Sequence, residues 1–176
     1  MGVIFNKYNS TLSLYSPLIA NVCQLIATCF ATCVLSKFGR RVPTLVGNGI
    51  ISALNLIIAI LFLVNAITKD VGVVYASAAF IILFMIVYAL SIGPVVWPYV
   101  PELMPAKYVP FASSMNWIAA AICTIATPYI LDAVGSPYPV FFFFAGISLL
   151  FLLFNMKYLI ETKGLTPSQI SAKLTK

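Results

Sequence analysis

The sequence predicts an all-α, polytopic membrane protein of about five transmembrane helices, and three observations carry that reading. Hydrophobic residues make up 62% of the 176 and charged residues only 8%, whereas a soluble domain carries roughly 25% charge and 45–50% apolar residues. The few charges divide the chain into five uncharged stretches, each long enough for the ~20 apolar residues that a helix needs to cross a bilayer core. Strands of a membrane barrel would alternate and need only about ten residues each.

The stretches follow in order. Span A runs from about Leu12 to Leu35, between Lys7 and Lys37. Span B runs from Val42 to Ile67, between Arg41 and Lys69, and span C from Gly72 to Trp97, between Asp70 and Glu102. Span D runs from Tyr108 to Leu131, before Asp132, and span E from Tyr138 to Met156. The organisation is then a non-cytoplasmic segment (1–11), a five-helix domain (12–160) and a tail (161–176).

Eight of the ten basic residues fall on one side: Lys37, Arg40 and Arg41, then Lys107, then Lys157, Lys163, Lys173 and Lys176. The positive-inside rule places that side, with the C-terminus, in the cytoplasm or matrix. The +6 formal charge therefore orients the chain in a lipid bilayer and implies no nucleic acid. Met1-Gly2 opens a myristoylation-like pattern, but Asn6 stands where Ser or Thr is needed. Asn9-Ser10-Thr11 is a sequon on the outer side, too near span A to be a convincing glycosylation site.

There is no His and no CxxC, so no metal site, cofactor or disulfide framework is expected. Cys29 and Cys33 share a helix face that Cys23 does not, and with Cys123 they read as small packing residues between helices. No nucleophile and base converge, and the carboxylates lie in loops, so the chain is not expected to be an enzyme. The span interiors hold amides instead: Asn21 and Gln24 in A, Asn116 beside Trp117 in D. Gly93-Pro94, Pro98 and Pro101 predict that the second half of span C is not a regular helix. Backbone groups freed there must face protein or a water-filled cavity.

Four motifs occur in order. Gly39-Arg40-Arg41 follows span A. Gly93-Pro94-Val95-Val96-Trp97 leads to Glu102-Leu103-Met104-Pro105. Asn116-Trp117 lies early in span D, and Glu161-Thr162-Lys163-Gly164 follows span E. Together, at this spacing and topology, they resemble the C-terminal part of sugar porters of the major facilitator superfamily, over about residues 12–172. The resemblance implies a partial major facilitator fold, corresponding to the family's eighth to twelfth helices. It implies that Gly93, Pro94 and Trp97 sit at the sugar site on a helix broken at Gly-Pro, joined by Gln24, Asn116 and Trp117. An aromatic face packs against the C–H side of a hexose while amides bond its hydroxyls. It also implies that Gly39, Arg40, Arg41, Glu102, Glu161 and Lys163 are cytoplasmic gate residues.

The departures are specific. The family's first seven helices have no counterpart. Ser36 stands for an acid, Val109 for an arginine, and Val96 and Ile160 for prolines. A gate ion pair holds one of two conformations, and losing it is tolerated when a protein no longer switches. The expectation is therefore a non-transporting structural or accessory subunit of a larger membrane assembly. In it, other transmembrane chains cover spans A, C and D, whose polar groups lipid cannot satisfy. The alternative is the C-terminal piece of a split or truncated hexose transporter working by alternating access. A mitochondrial inner membrane and a plasma or endomembrane both suit the charge pattern. In the tail, Thr166-Pro167-Ser168-Gln169 reads as a helix start.

Overall fold

The computed structural model describes residues 10–174. The motif at Met1-Gly2, Asn9 of the sequon and nearly all of the predicted 1–11 segment lie outside the described residues. Seven α-helices follow in order: α1 Ser10–Phe38, α2 Arg41–Thr68, α3 Val71–Leu90, α4 Ile92–Leu103, α5 Val109–Val134, α6 Tyr138–Tyr158 and α7 Pro167–Leu174. Among the described residues there is no strand, and five spans are long and apolar enough to cross a membrane. They are Leu14–Phe38, Arg41–Thr68, Val71–Leu103, Ala106–Val134 and Tyr138–Tyr158. The chain is an all-α bundle of five membrane spans, within a few residues of the predicted boundaries except where span C continues to Leu103.

Local chemistry sets the turns. Gly39 takes φ +79° and its N–H reaches the Leu35 carbonyl at 3.1 Å, closing α1, a left-handed cap that glycine adopts without strain. Lys69 closes α2 through Asn65 O at 2.9 Å, and Asp70 Oδ1 opens α3 by accepting the Gly72 N–H at 2.9 Å. Thr166 and Gln169 form half of a capping box, the Gln169 Oε1 accepting the Thr166 N–H at 3.0 Å, so the predicted tail helix is present.

Span C is two helices with a single-residue break at Ser91 (φ −121°, ψ −96°). In a continuous helix the Pro94 ring would strike the carbonyl four residues back, that of Leu90, so the chain breaks between them. Within α4, Pro94 is the third residue, where a missing N–H costs nothing. This corrects the expectation of an irregular second half: α4 stays helical through Pro98 and Pro101.

The centre of the bundle is α2, packed chiefly on α6 and α3, while α1 lies against α3. Ile58 and Phe62 of α2 meet Val74, Ala78 and Ile81 of α3, and Phe62 stacks on Phe141 of α6 at 5.5 Å between centroids. The buried stripe of α1 is Ser16, Ala20, Ala27, Ala31 and Leu35, and small residues let helix backbones approach where lipid supplies no hydrophobic drive. Cys29, Cys33 and Cys123 are exposed on this bundle, and Cys29 and Cys33 sit opposite that stripe. Hydroxyls inside the spans, such as those of Thr28, Ser52, Ser77 and Thr127, donate to carbonyls four residues back, because the bilayer offers no water to bond them.

Gly47 of α2 presses on the break in span C. A Cβ built there would overlap Ser91 Cβ and Oγ. Gly47→Ala is expected to destabilise the bundle by about 1–3 kcal/mol, as overpacking of a filled site does, read as a lower Tm in detergent. Ser91→Gly removes what the new methyl strikes, so Gly47→Ala should cost far less in that background. An equal loss in both backgrounds contradicts the close crossing.

Candidate functional site

Two sets of motif residues come together, one at the basic end of the bundle and one between α4 and α5. The first is built on the two-residue turn between α1 and α2. The left-handed Gly39 turns the Arg40 and Arg41 N–H groups outward, as the first unpaired donors of α2. The first turn of α2 holds no acidic residue. Glu161, about 120 positions later, supplies the anion. Its carboxylate accepts Arg40 N–H at 3.0 and 3.1 Å, Arg41 N–H at 2.9 Å and Lys163 N–H at 2.9 Å. A Cβ on Gly39 would lie 2.6 Å from Glu161 Oε2, so only glycine admits the carboxylate this closely.

The neighbouring residues extend the clasp. Lys163 Nζ donates to the carbonyl of Ser36 and, at 3.1 Å, to that of Lys37, at the C-terminal end of α1. The tail thus places an anion on the positive end of one helix dipole and a cation on the negative end of the other. Between them Thr162, only 3% exposed, donates to Glu102 Oε2 at 2.5 Å. Glu102 Oε1 in turn accepts Arg40 Nη2 at 2.7 Å, the one ion pair among the described residues. Tyr99 of α4 donates its hydroxyl to Ile160 O at 3.1 Å, and Arg41 reaches Met156 O at 3.3 Å.

All six predicted gate residues, Gly39, Arg40, Arg41, Glu102, Glu161 and Lys163, therefore share one cluster. Thr162 and Tyr99 belong to it as well. Neither was singled out from the sequence, although Thr162 lies inside a quoted motif, because an uncharged side chain next to an acid, or three residues before one, carries no mark of its partner.

The second set is a cleft of about 170 Å³, lined by Val96, Trp97, Pro101, Val109, Ser113 and Asn116 among others. Trp97 and Trp117 face each other across the α4–α5 junction, 6.3 Å apart between ring centroids. They are 55% and 62% exposed, so a broad aromatic surface lies uncovered. Trp97 and Asn116 line the cleft, and Trp117 flanks it through Trp97. Gly93 and Pro94 lie in the first turn of α4 and do not line it. A Cβ on Gly93 would be 3.0 Å from the Tyr88 ring and 3.2 Å from Tyr88 O, so Gly93 serves the tight passage after the break. Gln24, half-buried on α1, is likewise not among the lining residues.

Glu161 is the titrating centre of the clasp. Burial pushes its carboxyl up, but the N–H groups of Arg40, Lys163, Arg41 and Thr162 together outweigh burial and hold it below the usual glutamate value. A depressed folded value contributes stability above the unfolded one, and that contribution is lost as pH falls through the folded one. The bundle is therefore expected to keep its Tm from neutral pH to the ordinary carboxylate range and to lose it below. Glu161→Gln should destabilise the bundle at neutral pH by about 1–2 kcal/mol, for a partly exposed charge-assisted clasp, read as a lower Tm, and flatten that acid limb. An unchanged acid limb in the variant would assign the titration elsewhere.

Comparison with known proteins places the fold in context. A family model described as sugar (and other) transporter matches residues 2–174. Hexose transporter 1 of Plasmodium knowlesi is 32% identical over 167 residues, covering 93% of this chain and 32% of that protein. The mouse protein named solute carrier family 2, facilitated glucose transporter member 2, is 29% identical over 177 residues, covering 98% of this chain and 33% of its own length. The chain thus spans about a third of the length of these relatives. In structure it resembles the inward-open conformation of the xylose transporter XylE from E. coli, with a TM-score of 0.73 over 98% of this chain and 40% of that one, at 23% identity. That likeness extends to the fold alone. Both relatives are named as transporters, and a carrier moves its solute without covalent chemistry and is not an enzyme. The chain is an integral membrane protein with the helical architecture of part of a major facilitator, and on a match spanning nearly its whole length it belongs to the sugar (and other) transporter family.

Proposed function

We propose that these five spans are the C-terminal portion of a hexose-class sugar porter that works by alternating access, together with helices that supply the rest of the path. The observation that carries this reading is the closed clasp. Arg40, Glu102, Thr162, Glu161 and Lys163 form one connected network between α1, α2, α4 and the tail. Ser36 and Val109 stand where the family has charges, and on that account the sequence pointed to a subunit that no longer switches. The network supports the transporting alternative instead: Thr162 takes the second oxygen of Glu102, and Ser36 enters through its carbonyl. An arrangement of ion pairs and helix-end contacts that must break as a unit suits a two-state element.

In this reading Trp97 offers its face to the C–H side of the sugar and Asn116 its amide to a hydroxyl. Trp117, Gly93 and Pro94 shape and support that wall, and Gln24 joins from α1 once the remaining helices close the cavity. The basic end is cytoplasmic. The exposed faces of α1, α4 and α5, which hold these amides and aromatic rings, are the surfaces that the completing helices cover. Relatives named as hexose and glucose transporters support the substrate class.

The second reading, a structural subunit without flux, rests on the replaced gate charges. The test is stereospecific uptake into proteoliposomes holding this chain with the helices that accompany it in its membrane. D-glucose should enter faster than L-glucose, and Trp97→Ala should cut the difference by about tenfold, the loss of one aromatic stacking contact. A stable assembly that passes neither isomer would leave the structural role.

A further inference from the structure

Apart from the tryptophan cleft, and sharing no lining residue with it, a groove of about 440 Å³ lies between α2 and α6. Gly49 and Ala53 of α2 and Gly146 of α6 form its floor, and Leu56, Phe142 and Leu149 its walls. The floor is open: a Cβ on Gly146 would meet nothing within 4 Å, and one on Gly49 only Leu152 Cδ2 at 3.8 Å. The polar side chain in the lining is Ser52, and its hydroxyl donates to Asn48 O at 2.9 Å. Nothing in the groove asks for a hydrogen-bonding partner, in contrast to the cleft that holds Ser113 and Asn116. A surface whose polar groups are already satisfied can face hydrocarbon.

The mouth of the groove is different. Two turns before Gly49, Arg41 is exposed and extends across to α6, where Nη2 meets Met156 O at 3.3 Å. Its side chain makes no ion pair among the described residues, since Glu161 takes its backbone N–H and Glu102 pairs with Arg40. Lys157, also exposed, follows Met156 in the last turn of α6, its Nζ over the Tyr158 ring at 5.2 Å. A passing helix would cover the guanidinium and leave its charge without a carboxylate, at the full cost of desolvation. A phospholipid brings an acyl chain for the groove and a phosphate for the arginine, in the fork geometry that Arg favours.

We infer that the α2–α6 groove is a binding site for one anionic phospholipid, its acyl chain lying over Gly49, Ala53 and Gly146 and its headgroup phosphate held by Arg41 with Lys157. The groove shares no lining residue with the tryptophan cleft; its headgroup end shares Arg41 with the clasp, and the assignment does not rest on the transport reading.

The experiment places the protein, with the helices that accompany it, in nanodiscs of equal phosphatidylcholine and phosphatidylglycerol. Native mass spectrometry then identifies the lipid it retains. One phosphatidylglycerol should stay bound in preference to phosphatidylcholine. Gly146→Leu has space for its side chain and should abolish retention with the Tm held. Ala53→Leu, on the facing helix, should do the same and gives an independent reading if the first variant fails to assemble. Arg41→Gln keeps the backbone N–H that Glu161 uses. It should leave a lipid bound but reduce the preference for phosphatidylglycerol about fivefold, the worth of one basic residue at a membrane surface. Undiminished retention in both groove variants, or equal retention of the two lipids by the unmodified protein, overturns the assignment.

Discussion

The architecture depends on one carboxylate. Glu161 lies across the backbone N–H groups of Arg40 and Arg41, and so binds the end of the chain to the turn between its first two helices. Helix starts carry unsatisfied donors and a partial positive charge, and helix ends the reverse. Each membrane helix buries its middle in hydrocarbon and presents these ends at the interface. The Glu161-Thr162-Lys163 segment answers both at once, with its acid on the start of α2 and its base on the end of α1. Gly39 is glycine for two reasons that coincide: the turn needs a positive φ, and the carboxylate occupies the space of a Cβ.

A second constraint runs from Pro94 to the cleft. Its ring forbids a continuous helix through Leu90, so span C breaks at Ser91, and the break nests against the bare Cα of Gly47 on the central helix. The orientation of α4 follows from that seat, and α4 carries Trp97 toward α5 and Glu102 toward Arg40. The aromatic cleft and the clasp thus both draw on one short helix. A change of tilt at Ser91 acts on both, which gives the alternating-access reading a physical route between sugar wall and gate. The α2–α6 groove lies outside this route, against the central helix of the bundle.

How legible the site was depended on the kind of partner. Gly39, Arg40, Arg41, Glu102, Glu161 and Lys163 were found together because their motifs sit in order at helix ends, where charge in an otherwise uncharged chain stands out. What Glu161 binds could not be read so directly: its acceptors' partners are main-chain groups, which every residue has. The same holds for Lys163, whose partners are two carbonyls of α1, and for Tyr99, whose partner is Ile160 O. The replaced charges at Ser36 and Val109 looked like losses in the sequence. In space, a hydroxyl from Thr162 and a carbonyl from Ser36 take part instead, and neither has a signature. Gly93, Pro94 and Gln24 mark the opposite limit: the resemblance set them at the sugar site, and none of them lines the cleft.

The sequence by itself determined the all-α membrane class, the five spans and their approximate limits, and the basic asymmetry. A helix satisfies its own backbone in lipid, so apolar length alone is enough to specify it. It also determined the family, through four motifs in order. Only the tertiary structure decided that α2 is the centre, that the break falls at Ser91 and not at Gly93-Pro94, that Cys29, Cys33 and Cys123 are exposed on this bundle, and that the tail locks α1 to α2. Those outcomes depend on which helix faces meet. In lipid that choice rests on close fits such as Gly47 on Ser91 and on hydrogen bonds to backbone atoms, and neither leaves a pattern in the order of the residues.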